Sequence, residues 1–390
     1  MVKVKRGMRI AIFTDSFLPQ IDGVTTTTIN VSKELVKRGH KVYIIAPKVG
    51  SREIFFYPGI KVIRIPSIPA FFYKGYRFAS IFNKSLVDYL KKEKIDLIHL
   101  QTPISLGVQA VIISKILKVP LVGTFHTLFM HPQYLEHIHA NFKIIEKISW
   151  EYAKLYYNRC DLVTCPSEDI RKQLVKWKFK PKLRVISNGI DLHGFDNSKW
   201  REVKKKFNPN GKLLLYVGRI AYEKNIFFLL ECFNLIVKKS PSTKLLVVGD
   251  GPQMNLFKNK IKELNLSRNV IVLGKVPYEK LKKSAIYVAC DIFVTASMTE
   301  TQGITTLEAQ ANGLVCVGMN AGGTKDLIKK GYNGYLINGG NKKDFSESVL
   351  KLLNDNKLYE RMKKNSLREV DKHKIENVVK IWEEEYSKLL

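Results

Sequence analysis

The sequence is short of negative charge, of paired cysteines and of long apolar runs. Asp and Glu number 35 against 65 Lys and Arg in 390 residues, a formal net charge of +30. Such a field favours anionic partners: phospholipid surfaces, nucleic acid or simply a solvated basic face. The five cysteines, Cys160, Cys165, Cys232, Cys290 and Cys316, form no Cys-x2-Cys pair. That excludes the usual zinc spacings and a disulfide framework, and predicts reduced, buried thiols. The best apolar stretch, Val108 to Val122, is broken by Lys115 and Lys118, so nothing reaches the ~18 residues that span a bilayer. The apolar stretch after Arg9 meets Asp15 too soon for a signal peptide. A cytoplasmic protein is expected.

What is present is a core. Hydrophobic residues make up 45% and charged residues 26% of the chain, the balance of a soluble globular protein. A single core of this length would be unusually large, so two domains are expected, 1–187 and 188–373, with the turn dipeptide Asn188-Gly189 as hinge. Apolar strand candidates at 9–14, 41–46, 60–65, 95–99, 119–124, 161–165 and 183–187 alternate with amphipathic helical stretches. A second set at 212–217, 244–249, 269–273, 291–296, 314–318 and 334–337 does the same. This alternation predicts an α/β fold with parallel sheets and crossover helices in both halves.

Four strand-to-helix junctions carry chemistry. Glu300 and Glu308 frame Glu300-Thr-Gln-Gly-Ile-Thr-Thr-Leu-Glu308 after the strand Asp291 to Thr295. They lie about 12 Å apart if the path is helical at ~1.5 Å per residue. Two acids so spaced can hold hydroxyl-rich groups at both ends of one ligand, while the free N–H groups of Gly303 and Ile304 suit an anion. Taken alone, such a pair is more often two ordinary acids. Gly218-Arg219-x4-Lys224 follows the strand 212–217; Arg supplies a planar fork and Lys a mobile point charge, a pair suited to a diphosphate, or else two solvated surface cations. His126 stands directly after the strand 119–123, where a lone His is more often structural. Gly23 opens the helix after the first strand and would let backbone approach an anion there; the bland alternative is a turn glycine.

Together these loops resemble the retaining glycosyltransferases of family 4, over nearly the whole chain. The residues that carry the likeness are Gly23, His126 in Thr-Phe-His-Thr, Arg219 and Lys224, and Glu300-x7-Glu308 followed by Ala309 and Gly313. Within the family, Thr-Phe-His-Thr-Leu-Phe and Ser297-Met-Thr-Glu-Thr-Gln302-Gly303 are most similar to the diacylglycerol glucosyltransferase branch. The resemblance implies the GT-B fold, two Rossmann-like domains facing a central cleft, with a final helix (374–390) returning to the first domain. It implies a nucleotide-sugar donor, with UDP-glucose preferred, and transfer with retention to a hydroxyl acceptor such as a membrane lipid. Glu300 would then serve the donor sugar, Glu308 the ribose hydroxyls, His126 the sugar near the reacting centre, and the backbone at Lys275 and Val276 the base.

The chain contains no Asp-x-Asp, the motif that commonly holds a metal on a leaving diphosphate. The remaining solution is fixed cations and helix N-termini, here Arg219, Lys224, the Gly23 loop and the amides of Gly303 and Ile304. No metal and no cofactor are therefore expected. The excess positive charge points to an anionic membrane surface, and the aromatic-basic run Phe71, Phe72, Lys74, Tyr76 and Arg77 is its candidate contact. This places the protein peripherally on the inner face of the cell membrane. Nucleic acid is the weaker reading, because no recognised binding module is present. A nucleotide-sugar epimerase on the same fold and a non-catalytic basic scaffold are the alternatives.

Overall fold

A computed structural model describes residues 7–20, 22–50, 55–69, 77–126 and 142–390. The chain divides into two compact units. The first holds the described residues up to Gly189 together with Ile375–Leu390, and the second holds Ile190–Lys374.

In the first unit the strands are β1 (Arg9–Phe13), β2 (Lys41–Pro47), β3 (Ile60–Ile65), β6 (Leu97–Leu100), β7 (Leu121–Thr124), β8 (Leu162–Cys165) and β9 (Lys182–Val185), with the short β4 (Ser67–Pro69) and β5 (Arg77–Ala79) between. Among the described residues the main sheet runs β3-β2-β1-β6-β7-β8-β9, all parallel, and β4 and β5 form a separate antiparallel pair. Central strands such as Ile10–Phe13 and Leu97–Leu100 are fully buried. That is why they read as unbroken apolar runs: helices cover both faces of a parallel sheet. One core layer holds Phe125, Trp150 and Phe179. The other joins Ile10, Ile12 and Val31 to Val378, Trp382 and Tyr386 of the last helix, Ile375–Ser387.

The second unit repeats the plan with β10 (Leu213–Val217), β11 (Lys244–Val248), β12 (Val270–Gly274), β13 (Ile292–Val294), β14 (Val315–Met319) and β15 (Gly334–Ile337). Their order is β12-β11-β10-β13-β14-β15, again all parallel. In each sheet the winding reverses once, between β1 and β6 and between β10 and β13. Loops leaving the carboxyl ends of such neighbouring strands diverge to opposite faces and leave a crevice, the usual ligand position in open α/β sheets. The doubly parallel α/β architecture expected from the sequence is thus borne out, and the hairpin of β4 and β5 is an addition to it. All five cysteines are buried and free.

Candidate active site

In the second unit the reversal lies between the loop 218–225 after β10 and the loop 295–303 after β13. These are the two segments that carry Arg219, Lys224 and Glu300. Lys224 Nζ donates to Glu300 Oε1 at 2.6 Å, with the two side chains 19% and 21% exposed. Burial acts to raise the Glu300 carboxyl, but the Lys224 ammonium, with hydrogen bonds from Lys224 and Ser297, outweighs it and holds the group below its ordinary range. Glu300 is therefore ionised at neutral pH. Arg219 is anchored by Glu223, whose buried Oε1 accepts from its Nε at 3.0 Å. The Glu223 carbonyl in turn accepts from Ser297 Oγ at 3.4 Å and Thr299 Oγ1 at 3.3 Å. The two loops are thus tied by backbone and side chain alike, which fixes the acid and the cations relative to one another.

The helix Ile304–Ala311 starts at Gly303, whose φ of 91° is a left-handed conformation that glycine adopts without strain. The path from Glu300 to Glu308 is therefore loop and then helix, not one continuous helix. Gly303 and Ile304 lie at the first turn, where backbone N–H groups lack intrahelical acceptors. Glu308, one turn further on, is buried, and Tyr287 donates to its Oε2 at 2.5 Å. Burial pushes its carboxyl up, against hydrogen bonds from Tyr287 and Tyr278 and the charge of Lys282. After β14, the N–H of Gly323 donates to the carbonyl of Glu300 at 2.6 Å. A Cβ on Gly322 or Gly323 would collide with the backbone of Glu300 or Thr301, so the Gly-Gly pair is what admits this loop against the acid. Past β12, Lys275 is exposed and Val276 packs against the core.

The first unit has its own reversal. Asp15, after β1, is buried and accepts from Thr102 Oγ1 at 2.8 Å, Ser105 Oγ at 2.6 Å and the N–H of Leu106 at 2.9 Å, joining the loops after β1 and β6. Gly23 is the first residue of the helix Gly23–Lys37, whose N-terminus is capped by Asp22, accepting from the N–H of Thr25 at 2.8 Å. His126 is buried at the end of β7 with Nε2 2.5 Å from Gln101 Oε1. Burial pushes its imidazole down to about 4, against a hydrogen bond with Asn188, so the ring is neutral at pH 7. Arg77 lies on β5 and donates from Nε and a terminal nitrogen to Ser67 Oγ and O at 2.8 and 2.7 Å. Phe71, Phe72, Lys74 and Tyr76 lie outside the described residues.

Sequence reasoning missed several partners: Glu223 for Arg219, Ser297 for Glu300, Tyr278 and Tyr287 for Glu308, Gln101 and Asn188 for His126, and the Gly322-Gly323 pair. Only the glycine pair left a local signal. Among the described residues no cluster of three or more metal-ligating side chains occurs.

Two Rossmann-like parallel units, one with a cation–carboxylate pair at its sheet reversal, define a glycosyltransferase of the GT-B architecture. Residues 21–193 match the family model "Glycosyltransferase Family 4" and residues 198–369 match "Glycosyl transferases group 1". An alpha-monoglucosyldiacylglycerol synthase of Streptococcus pneumoniae is 36% identical over 316 residues, covering 78% of this chain and 70% of the relative. The synthase of the same name from Acholeplasma laidlawii is 30% identical over 343 residues, covering 85% of each. Among solved structures, Anabaena Alr3699/HepE in complex with UDP-glucose matches with a TM-score of 0.79 at 20% identity, over 98% of this chain and 100% of that one. The chain belongs to glycosyltransferase family 4, and its sequence is similar to the diacylglycerol-glucosylating members.

Proposed function

We propose that the chain transfers glucose from UDP-glucose to the hydroxyl of diacylglycerol at an anionic membrane surface, with retention and without a metal ion. The observation that carries this reading is the Lys224–Glu300 pair at the β10/β13 reversal. It offers a fixed cation for the leaving diphosphate beside a carboxylate held ionised for the positive charge that builds on the anomeric carbon. Arg219, braced by Glu223, adds a second cation, and the N–H groups at Gly303 and Ile304 add the dipole of a helix start. Such donors are aligned before the reaction begins, and each contributes on the order of 3 kcal/mol to the transition state.

On this reading the second unit binds the donor and the first serves the acceptor. Glu308 accepts from the ribose hydroxyls, the backbone at Lys275 and Val276 meets the base, and the neutral His126 imidazole contacts the donor sugar. A front-face departure, in which an oxygen of the leaving phosphate takes the acceptor's proton, gives retention without a protein nucleophile. The relatives' names support glucose as the sugar and diacylglycerol as the acceptor. The test is a screen of UDP-, GDP- and ADP-sugars with diacylglycerol presented in phosphatidylglycerol vesicles, following labelled sugar into lipid. UDP-glucose is expected to give an α-linked glucolipid. Transfer from another nucleotide-sugar alone, or formation of an epimerised sugar nucleotide without acceptor, refutes the proposal.

A further inference from the structure

The two acids of the second unit have partners that differ in kind. Glu300 faces a lysine ammonium at 2.6 Å, whereas Glu308 faces phenols: Tyr287 donates to its Oε2 at 2.5 Å, and Tyr278 supplies a second hydrogen bond. A phenol holds a carboxylate without cancelling its charge, so the acid remains a strong acceptor for a ligand. The local sequence builds this arrangement. Tyr278 and Lys282 stand four apart on the short helix Tyr278–Lys282, where they share a face, and Tyr287 follows on the helix Ile286–Ala289 just before β13. Tyr287 is buried, with the ring of Phe195 edge-on at 5.9 Å. The buried Lys282 ammonium lies 5.4 Å from the Phe195 ring, 5.6 Å from the Tyr278 ring and 3.6 Å from Asp191 Oδ2. Ring packing and the Lys282 side chain thus restrict both phenols.

An ionised carboxylate offers about four lone-pair positions, of which the two phenols fill about half, and the remainder matches the two neighbouring hydroxyls of a ribose. Burial works against this arrangement by raising the Glu308 carboxyl, while the hydrogen bonds from Tyr287 and Tyr278 and the Lys282 charge lower it. Each phenol therefore acts on the acid twice: it fixes the carboxylate's orientation and it favours the ionised form. The helix Ile304–Ala311 also packs against β14, Thr324–Leu327 and Asn356–Val370, which carry Cys316, Lys325, Asp326, Tyr359 and Lys363. Among the described residues the groups that act on Glu308 are Tyr287, Tyr278 and Lys282.

We infer that Tyr278 and Tyr287 are positioning residues for the nucleotide: they hold the Glu308 carboxylate so that its open lone pairs meet a vicinal pair of ribose hydroxyls, which makes the site selective for ribonucleoside diphosphates over their deoxy analogues. The inference rests on the reading of the second unit as the UDP-sugar site and assigns its discrimination at the ribose to two residues that act through Glu308.

The test titrates the full chain by calorimetry with UDP and with 2′,3′-dideoxyuridine diphosphate, from about pH 5 to 8, for the parent, Tyr287→Phe and Tyr278→Phe. The parent is expected to bind UDP about tenfold or more tighter than the dideoxy analogue. Each variant should bind UDP about tenfold more weakly yet bind the analogue within about twofold of the parent, so the discrimination shrinks. Loss of a phenol also moves the fall of UDP affinity on acidification to higher pH, because Glu308 then takes up a proton more readily; a phenol that serves the fold alone leaves that midpoint in place. In turnover of UDP-glucose the loss should fall on KM, with kcat within about twofold of the parent. Tyr278 is only partly buried, so its variant keeps the test in force should Tyr287→Phe fold poorly. A parent that discriminates, with variants that keep its UDP affinity and its acid midpoint, overturns the inference and leaves the UDP reading standing. Variants that lose affinity for both diphosphates alike overturn it too. A parent that binds both diphosphates equally refutes the ribose assignment of Glu308, and the inference with it.

Discussion

Removing the Lys224 ammonium while keeping its bulk, as in Lys224→Met, isolates one charge in the proposed donor site. The pair it breaks is short, 2.6 Å, and both partners are less than a quarter exposed, so solvent screens it less than a surface ion pair. A charge-assisted hydrogen bond of this kind contributes about 1.5–3 kcal/mol. If the ammonium also meets the leaving diphosphate, most of that loss falls on the transition state, and at ~1.4 kcal/mol per factor of ten kcat/KM should drop about a hundredfold. A second consequence follows from Glu300. Its carboxyl is held below 4.5 by Lys224 despite burial; without Lys224, burial dominates and pushes it up. The acid limb of the pH–rate profile should therefore move to higher pH. Linkage gives the same sign in stability. In the parent, Glu300 stabilises the fold above about 4.5 and that contribution is lost as pH falls through its lowered value. In the variant the carboxyl prefers to be neutral, so its melting temperature should fall as pH rises from about 4.5. Initial rates of UDP-glucose hydrolysis from pH 4 to 8, with melting curves across the same range, measure both effects. A loss under threefold together with an unmoved acid limb refutes the role given to the pair.

Glu300→Gln keeps the shape but removes the charge proposed to act at the anomeric carbon, so kcat should fall by about two orders of magnitude with little change in KM. Glu308→Ala should instead weaken UDP binding by about tenfold or more, seen by calorimetry, because on the proposed reading the ribose hydroxyls lose their acceptor, and the buried Tyr287 hydroxyl loses its partner; unchanged UDP affinity removes the ribose assignment. Turnover should survive millimolar EDTA if Arg219 and Lys224 take the place of a metal, as proposed; abolition by EDTA with recovery on adding Mg²⁺ refutes the metal-free scheme.

The fold was legible because of how parallel sheets are built. Strands such as Ile10–Phe13, Leu245–Val248 and Val315–Met319 are buried on both faces, so each writes itself as an apolar run between amphipathic helices. The hairpin of Ser67–Pro69 and Arg77–Ala79 left no such mark. Its strands are three residues long and partly exposed, the first bounded by Pro66 and ending on Pro69, and nothing in their pattern repeats with the period of two that announces a longer strand.

The site was legible only residue by residue. Lys224 and Glu300 each stand at a strand-to-helix junction, which their own neighbours reveal, but 76 positions separate them. What joins them is the order of the sheet: β13 pairs with β10, not with β12. That order is decided by where the crossover helices pack, a property of the folded unit that no local pattern encodes. The same holds for His126 and Gln101, brought together because β7 lies beside β6, and for Glu308 and Tyr287. The partners overlooked in the sequence are mostly neutral or common residues, Gln101, Asn188, Ser297, Tyr278 and Tyr287. Such side chains acquire a role only from the group they face, whereas a glycine pair advertises close backbone approach wherever it stands. Reading the chemistry of a family 4 chain thus depends first on knowing which two strands flank the reversal, because the residues that tune its acids and cations follow from that adjacency.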